Sequence, residues 1–557
     1  MRLPAVPAPA RVGLIALVLT ATGASPGGLP AIVFVSRNPV PGQPSAIPGL
    51  GPHHRAVVTG GRLLVRERDG RLRELLSPGA FDDVSDPSVS PDARRVAFAA
   101  VVHADSVWHL WVVELSGEDL RQVTFDDPGR RYPFLGGGDD DLDPCWIDDS
   151  SLVFASDRFA QRAQYAPVTV TNLYLTTAPS ASRSYGLLRI TSERNGAEEP
   201  TMDWKRGRIV FSRWWFNRYR AADDSSGIAT DQALAIPRDT VNLWQTMEMS
   251  AGARLPRLAA GDLRSRRGTM GYQATVLANG DLVSVYAANL GLSPRPGGTG
   301  IHALHGFGPE RRLAGAIVSG REGDVYAGAQ GLAPPSACAP AGLPDGRVLF
   351  SYDPGARGDF GLYVMRADGS GITRVLDLPG TLELDATPVV RHRVPQREPP
   401  LSGDELEKPP PTRGPDGLFH FDPPRTFRFQ DLDVFGDGPP GSPARGAAPR
   451  TPGARIRFFG TVTQPWRAGG DSAFLLREVP IGASGEVNQP GLPADTPLFE
   501  QLVGPDGRVL MTAHGPAHVA GSNAGVGGTT ARCVGCHLGH STIPPGPSTP
   551  RAKGGRR

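Results

Sequence analysis

The sequence predicts an all-β protein: a β-propeller of six blades, with seven as the alternative, followed by a small β-sandwich. Three observations predict it. Residues 31–394 repeat short β-branched and aromatic runs between Asp, Gly and Pro turns, as strands in hairpins do. Phe98, Phe154 and Phe211 end equivalent runs 56 and 57 residues apart, and this period favours blades around an axis over an array of β-sandwiches. Residues 425–541 carry a second set of β-rich runs after a Pro-rich break.

The first 24 residues have the features of a secretory signal peptide. Arg2 and Arg11 precede the apolar run Val12–Leu19, and the small residues Thr22–Ala24 follow it. The run is shorter than the roughly 20 residues of a membrane helix, and no later run reaches that length. We therefore expect residues 1–24 to be removed, no membrane span, and a periplasmic or secreted protein. The alternative is an apolar N-terminal strand.

Charge and cysteine content exclude several classes. The chain of 557 residues has 58 Lys and Arg against 56 Asp and Glu, and the expected signal peptide takes two of the Arg. A near-neutral mature chain lacks the basic face that a nucleic-acid partner needs. Four Cys are too few for a disulfide-framework protein. The length predicts more than one domain.

The propeller repeats follow one another along the chain. The copies run over Asp86–Thr124, Asp143–Thr191, Pro200–Trp244, a weaker Leu277–Val283, and Pro344–Val364. An early hairpin, Ala31–Val35 with Arg62–Arg66, is expected to supply a blade or to close the ring. The copies resemble the TolB-type propeller repeat, in which an aspartate-proline turn precedes a strand that ends in Phe.

Residues 395–424 are expected to form a stiff, Pro-rich linker, and residues 542–557 a disordered tail. Between them, residues 425–541 are expected to form the sandwich and the C-terminal extension that holds the haem motif. Its expected strands are Arg455–Val462, Ala473–Val479, Pro497–Val503 and Arg508–Thr512. Gly504–Gly507 predicts the hairpin turn between the last two.

The strongest chemical signal is the run Cys533-Val534-Gly535-Cys536-His537. Two thiols spaced in this way can add to the vinyl groups of haem, and the adjacent imidazole then ligates the iron. The motif predicts one covalent haem c on Cys533, Cys536 and His537. The alternatives are a redox dithiol, a zinc site that includes His540, and a plain disulfide.

The sequence does not identify the residue that would ligate the iron on the side opposite His537. His514, His518 and His54 are candidates, as are Met511 and His53, although each is also a typical surface residue. His540 follows His537 too closely to reach the opposite face. A filled sixth position would indicate electron transfer, and an empty one small-molecule chemistry.

Two further cysteines lie in the propeller region. Cys145 stands close to Asp139–Asp141, where thiolate and carboxylates could bind a metal ion, but a free buried thiol is the expectation. Cys338 is a possible disulfide partner for Cys145.

Taken together, these elements resemble the middle domain of the hydrazine synthase alpha-subunit family. The resemblance rests on Leu492–Leu498 (Leu-Pro-Ala-Asp-Thr-Pro-Leu), Gln501-Leu502, Asp506-Gly507 and Arg532–His537, with Asp143–Trp146 and Gly207–Trp214 in the propeller. It implies a propeller next to a domain with one covalent haem. The synthase subunit has a second haem in a further domain and a Tyr ligand just after the motif. Here there is one Cys-x-x-Cys-His, followed by His540 and Ser541.

The leading hypothesis is an exported c-type cytochrome that exchanges electrons with a redox partner protein, with the propeller as a binding platform for a protein or small-molecule ligand. The first alternative is a haem enzyme that acts on a small nitrogen or oxygen compound. The second is a non-redox propeller scaffold of the cell envelope. The sixth iron ligand separates the first two, and the presence of haem separates both from the third.

Overall fold

A computed structural model describes residues 28–533 with internal gaps, and every element of regular structure that it describes is a β-strand. The gaps of ten or more residues are 126–139, 218–240, 261–270, 288–298, 304–315, 319–335, 397–425 and 437–446. The expected signal peptide (1–24), the tail (542–557) and nearly all of the expected linker (395–424) lie outside the described residues.

Twenty-four strands make up the first region. They are β1 (Ile32–Arg37), β2 (Arg62–Arg66), β3 (Leu72–Glu74), β4 (Asp83–Val89), β5 (Arg95–Val101), β6 (His109–Glu114), β7 (Arg121–Gln122) and β8 (Asp141–Asp148). Next come β9 (Ser151–Arg162), β10 (Thr169–Thr177), β11 (Leu188–Arg189), β12 (Ala197–Asp203), β13 (Arg208–Asn217), β14 (Val241–Ser250), β15 (Arg257–Ala260) and β16 (Tyr272–Val276). The last are β17 (Leu282–Ala287), β18 (Thr299–Ala303), β19 (Ala316–Val318), β20 (Ser336–Gly342), β21 (Val348–Asp353), β22 (Gly361–Met365), β23 (Thr373–Leu376) and β24 (Leu382–Pro388).

These strands form six four-stranded antiparallel sheets within the described residues. The first strand of each sheet, namely β4, β8, β12, β16, β20 or β24, contacts its counterpart in the next sheet, and β24 contacts β4. The six inner strands therefore surround one axis, which is the arrangement of a β-propeller. Six is also the blade number that the repeat count favoured.

The ring closes through a sheet that both ends of the propeller build. Strand β24 pairs antiparallel with β1, and β1 pairs with β2, with Ile32 opposite Pro388 on one side and Arg66 on the other. The early hairpin therefore does close the ring, as expected, and β24 supplies the inner strand of its sheet.

The core lies between neighbouring sheets. Phe34, Phe98, Phe154, Phe211 and Phe350 stand at corresponding places in the second strands and are fully buried. Their burial is the reason for the Phe period, because each ring fills the wedge between two twisted sheets. The sheet of β16–β19 has no such Phe in its second strand, and the weak copy expected at Leu277–Val283 coincides mainly with the turn from β16 to β17.

The second region has nine described strands in three sheets. They are β25 (Thr426–Asp431), β26 (Arg455–Val462), β27 (Ser472–Pro480), β28 (Val487–Pro493), β29 (Leu498–Val503), β30 (Met511–Thr512), β31 (Gly515–Pro516), β32 (His518–Asn523) and β33 (Thr530–Cys533). The sheets are β28-β25-β33, β27-β26-β29-β32 and the pair β30-β31.

The two larger sheets share one apolar core, as in a β-sandwich. Phe429 of β25 meets Phe458 of β26 edge-to-face at 5.0 Å between ring centroids. Leu502 of β29 and Val487 of β28 belong to the same buried cluster. Between β29 and β30 the chain turns at Gly504–Gly507, where the Gly504 amide donates to Arg508 O. On its outer side, β32 contacts β13 of the propeller.

In the part of the chain that the structure describes, no helix is long and apolar enough to cross a bilayer.

Candidate functional site

The haem motif begins where a strand ends. Cys533 is the last residue of β33, which lies parallel to β25 with Cys533 opposite Asp431. Within the described residues, β33 is the edge strand of its sheet. Its pairing with β25 fixes the backbone of Cys533 to the sandwich. Cys536 and His537 lie outside the described residues, so the covalent haem itself stays a prediction.

The candidate distal ligands are not brought to the motif by any described contact. His514, His53, His54 and His540 lie outside the described residues. His518 belongs to β32, opposite Gln501 of β29, and therefore to the other sheet of the sandwich from Cys533. Met511 is an exposed side chain in the same region. The sixth iron ligand also stays a prediction.

The two propeller cysteines are buried free thiols, so the possible Cys145–Cys338 disulfide is wrong. Cys145 Sγ lies 3.5 Å from Trp146 O, and the Asp141 carboxylate accepts from Arg158 Nη2 at 2.7 Å. Among the described residues, no three His, Cys, Asp or Glu side chains are placed to hold a metal. The metal alternative at Cys145 has no support from this geometry.

We expect both thiols to be unreactive in the folded protein. Burial raises the pKa of Cys145 to about 12, and burial followed by the charge of Asp385 raises that of Cys338 well above its usual value. Because the thiolate is the reactive form, a thiol reagent at pH 8 should modify neither residue before unfolding. In the Cys533→Ser/Cys536→Ser protein, the reagent should count no thiols when folded and two after denaturation. Rapid modification of the folded protein would contradict the expectation.

The feature that sequence reasoning did not identify is a ring of six equivalent residues around the propeller axis. The ring residues are Asp86, Asp143, Glu199, Gln273, Ala339 and Asp385, one from each inner strand. Each has a positive φ, between 49° and 55°, although none is glycine. Pairing with the neighbouring strand shifts register at the same place in every sheet. Such a bulge redirects a side chain, here toward the axis.

Hydrogen bonds tie neighbouring ring residues to each other. The amide of Glu199 donates to Asp143 Oδ2 at 2.9 Å, and the amide of Ala339 donates to Gln273 Oε1 at 2.8 Å. The Gln273 side chain also spans the ring, because its Nε2 donates to Glu199 Oε1 at 3.2 Å and to Asp385 Oδ1 at 3.3 Å. The ring is therefore a connected network and not a set of independent carboxylates.

Burial and mutual repulsion keep the ring carboxyls from ionising easily. Burial, then the charges of Asp86 and Glu198, raises the pKa of Asp143 well above its usual value. The pKa of Glu199 rises for the same first reason and then through Asp143. Burial, then Asp86, raises the pKa of Asp385 to about 8, although Arg37 opposes this. Asp385 therefore holds its proton at neutral pH, and each of these shifts opposes the ionised form of a ring carboxyl.

The ring forms the base of a cavity of about 220 Å³. The residues that follow along each inner strand also line the cavity, as do Trp204 and His392. The rings of Trp204 and His392 stack at 5.1 Å, with their planes 12° apart. The cavity is thus lined by both acidic and aromatic side chains. We call it the funnel.

A buried ion pair lies next to the ring. Arg37 at the end of β1 donates from Nε and Nη2 to the Asp83 carboxylate at the start of β4, at 3.1 and 2.6 Å. Both side chains are fully buried. Asp83 Oδ2 also accepts the Val58 amide, and Arg37 Nη2 donates to Ala56 O. The pair joins the closing sheet to the next one and places a positive charge behind Asp86 and Asp385.

Comparison with known proteins identifies the fold. Neither the protein-family models nor the curated proteins give a match. Among solved structures, the chain is similar to hydrazine synthase from Kuenenia stuttgartiensis, with a TM-score of 0.64 and 16% identity over 93% of this chain and 71% of that one. It is also similar to TolB from Acinetobacter baumannii, with a TM-score of 0.37 and 14% identity over 64% of this chain and 66% of that one.

The likeness to hydrazine synthase concerns the fold alone, because the sequence identity is low. The resemblance drawn from the sequence motifs is confirmed at the level of the fold, in which the first region is a β-propeller. The match to hydrazine synthase extends over nearly the whole chain, so the second region contributes to it as well.

Proposed function

We propose that this protein is an exported c-type cytochrome, in which Cys533 and Cys536 hold one haem c by thioether bonds and His537 ligates its iron. When bound, the haem supplies a one-electron couple. The protein's own residues attach it, place it beside the sandwich and control access to it. The propeller acts as the platform that recognises a partner or ligand.

The position of Cys533 is the observation that carries the proposal. Two thiols and an imidazole in the order Cys-x-x-Cys-His form the donor set for haem c. Cys533 ends an edge strand that pairs with β25, so one attachment point is fixed to a folded sheet. A haem attached there would have a defined position relative to the sandwich. Such a position suits electron exchange with a docked redox partner.

The expected export of the protein is consistent with covalent haem attachment. Covalent haem attachment takes place outside the bacterial cytoplasm, and residues 1–24 have the pattern of a secretory signal peptide. The buried free thiols at Cys145 and Cys338 suit an oxidising compartment, because burial protects them from unwanted disulfide formation.

Replacing both motif thiols should abolish haem attachment. We expect wild-type protein made in a periplasm with cytochrome c maturation to give a haem-stained band under denaturing conditions and a reduced-minus-oxidised visible spectrum. Cys533→Ser/Cys536→Ser should lose both signals, because no thioether can form. The matched control is Cys145→Ser, which removes a buried thiol outside the motif and should keep the full haem signal.

A colourless wild-type protein of the correct mass would contradict the cytochrome proposal and leave the envelope scaffold. A stained band that persists in the double variant would contradict attachment at this motif. Carbon monoxide that shifts the spectrum of the reduced protein would indicate an open sixth position and favour the haem-enzyme alternative.

A further inference from the structure

The chain leaves the propeller across its own axial face. The residues that follow β24, 389–395, form a segment that we call the strap. The strap starts at the closing sheet, where the Val389 amide donates to Ala31 O at 2.8 Å. It ends at the turn between β12 and β13, where a Cβ added to Gly207 would lie 3.2 Å from Pro395 Cβ. The strap therefore connects two different blades.

These two blades lie on opposite sides of the propeller. The inner strands contact one another around the axis in the order β4, β8, β12, β16, β20 and β24, so β12 is three blades from β24 in either direction. Seven residues of extended chain span about 25 Å at most, which favours a direct path across the axial face. Val390 and His392 of the strap line the funnel, so this path runs over it.

The strap lies at the end of the funnel away from the ring. In its middle, the His392 amide donates to Pro91 O at 2.9 Å, and the His392 imidazole stacks on the Trp204 indole. Pro91 and Trp204 each follow the ring residue of their inner strand, Asp86 or Glu199, by five residues. Five residues of extended chain cover up to about 16 Å, so these contacts are well separated from the ring.

Few contacts hold the strap in this position. Between its two ends, it is attached by the hydrogen bond to Pro91 and by the stack of His392 on Trp204. Within the described residues, no side chain of the strap forms a hydrogen bond or an ion pair, and Arg391, His392 and Arg393 are exposed. A segment attached in this way opens more easily than a strand that is paired along its length.

Buried chain lies behind the ring, at the other end of the funnel. Residues 46–51, between β1 and β2, contact the ring but do not line the funnel. A Cβ added to Gly49 would lie 3.1 Å from Arg37 Nη1 and 3.8 Å from Asp86 Oδ1. Leu50 belongs to the main apolar cluster of the propeller. Entry from this end would require part of the core to unfold, so the strap end is the route into the funnel.

We propose that the strap is a cover that opens to admit molecules to the funnel, and that the stack of His392 on Trp204 holds it closed. The funnel of about 220 Å³ exceeds the roughly 150 Å³ of an engineered cavity that binds benzene, so a small organic molecule fits inside. Opening separates the two rings and breaks the hydrogen bond to Pro91, while the bond of Val389 to the closing sheet serves as the hinge. The inference concerns access to the propeller and does not depend on the haem.

The test measures how fast a bulky thiol reagent reaches a cysteine placed beneath the strap. Ser88 lines the funnel and is partly buried, so Ser88→Cys puts a thiol there with little change in side-chain shape. Fluorescein maleimide is added to the folded holoprotein near neutral pH, and peptide mass mapping gives the modification rate at each cysteine. Cys338 is buried and does not line the funnel, so its rate reports unfolding of the propeller as a whole.

We expect slow modification in the protein that carries Ser88→Cys alone. Adding His392→Ala should raise this rate roughly three- to tenfold, because the closed state loses an aromatic pair, and Cys338 should stay unmodified. Arg391→Ala is the matched control, since it removes an exposed neighbour on the strap, keeps the stack and should leave the rate unchanged. His392→Phe keeps a ring on Trp204 and should give a rate near that of the intact strap.

An equal rate with and without His392→Ala would overturn the proposal, and so would an equal rise in Arg391→Ala or a rise matched at Cys338. Thr201→Cys, on β12, is the second reporter should Ser88→Cys not fold, because Thr201 also lines the funnel and is partly buried. The same comparison without haem, in Cys533→Ser/Cys536→Ser, should give the same rise. A haem-containing protein in which His392→Ala has no effect overturns the strap inference and leaves the cytochrome proposal intact.

Discussion

Arg37→Met is expected to destabilise the propeller by about 3–5 kcal/mol, the usual cost of removing one partner from a buried ion pair. The substitution leaves the Asp83 carboxylate fully buried with no cation, although the amides of Val58 and Val84 still donate to it. Burial already raises the pKa of Asp83, and Arg37 opposes that rise. Without Arg37 the pKa rises further, so the loss of stability should increase with pH.

The measurement is urea unfolding followed by far-UV circular dichroism near pH 5 and near pH 8. Arg71→Met is the matched control, because Arg71 forms a solvent-exposed ion pair with Asp69 and should contribute little to stability. Arg37→Met/Asp83→Leu should recover part of the loss, since it removes the stranded charge. If Arg37→Met were no more destabilising than Arg71→Met, the pair would not join the closing sheet to its neighbour as described.

The propeller could be predicted from the sequence because its signals are local and repeated. Phe98, Phe154 and Phe211 mark strands whose side chains must fill the space between twisted sheets, so their spacing reports the blade period. The pair of β1 and β2 was also visible, as the two short apolar runs Ala31–Val35 and Arg62–Arg66. The pairing of β24 with β1 could not be predicted, because no local pattern specifies which distant strand completes a sheet.

The acidic ring shows where sequence reasoning stopped. The aspartate-proline pairs at Asp86 and Asp143 were read as turn signals, and Glu199-Pro200 fits the same pattern. Ring positions are occupied by four acids, one Gln and one Ala, so they do not form a simple motif. Only the bulge and the positive φ turn these side chains toward one axis. A carboxylate before proline or alanine at the blade period was the available signal.

The haem prediction depends on a different kind of signal. It rests on the local motif of Cys533, Cys536 and His537, because covalent attachment requires only that spacing, and it stays a prediction. The sequence does not specify a sixth iron ligand, because such a residue could come from any part of the chain and depends on tertiary distances.

The ring carries a structural cost that the fold does not need. Glu199, Gln273 and Ala339 adopt a left-handed backbone conformation that costs such residues about 1 kcal/mol or more each. The carboxylates around them are buried near one another, which opposes ionisation. A small apolar residue at the propeller axis avoids the electrostatic part of this cost, as Ala339 does, although its backbone has the same conformation. Strained and charged groups that meet in a cavity are typical of binding sites.

Asp385→Asn is therefore expected to stabilise the ligand-free protein at alkaline pH. Folding raises the pKa of Asp385 from 3.8 to about 8, so the unfolded chain ionises this group first as pH rises. Stability due to Asp385 is complete below about pH 4 and is lost as pH approaches about 8. Asparagine cannot ionise, so the variant should match wild type near pH 4 and exceed it by on the order of a few kcal/mol near pH 8.

Urea unfolding at a series of pH values in amine-free buffers measures this difference. The slope of unfolding free energy against pH should be smaller in Asp385→Asn, and the remaining slope should come partly from Asp143 and Glu199, which have raised pKa values of their own. Asp368→Asn should keep the wild-type slope above about pH 5, because the pKa of Asp368 is lowered and not raised. A variant that is less stable than wild type near pH 8 would mean that ionised Asp385 stabilises the fold. The cavity would then already contain a counter-charge for Asp385.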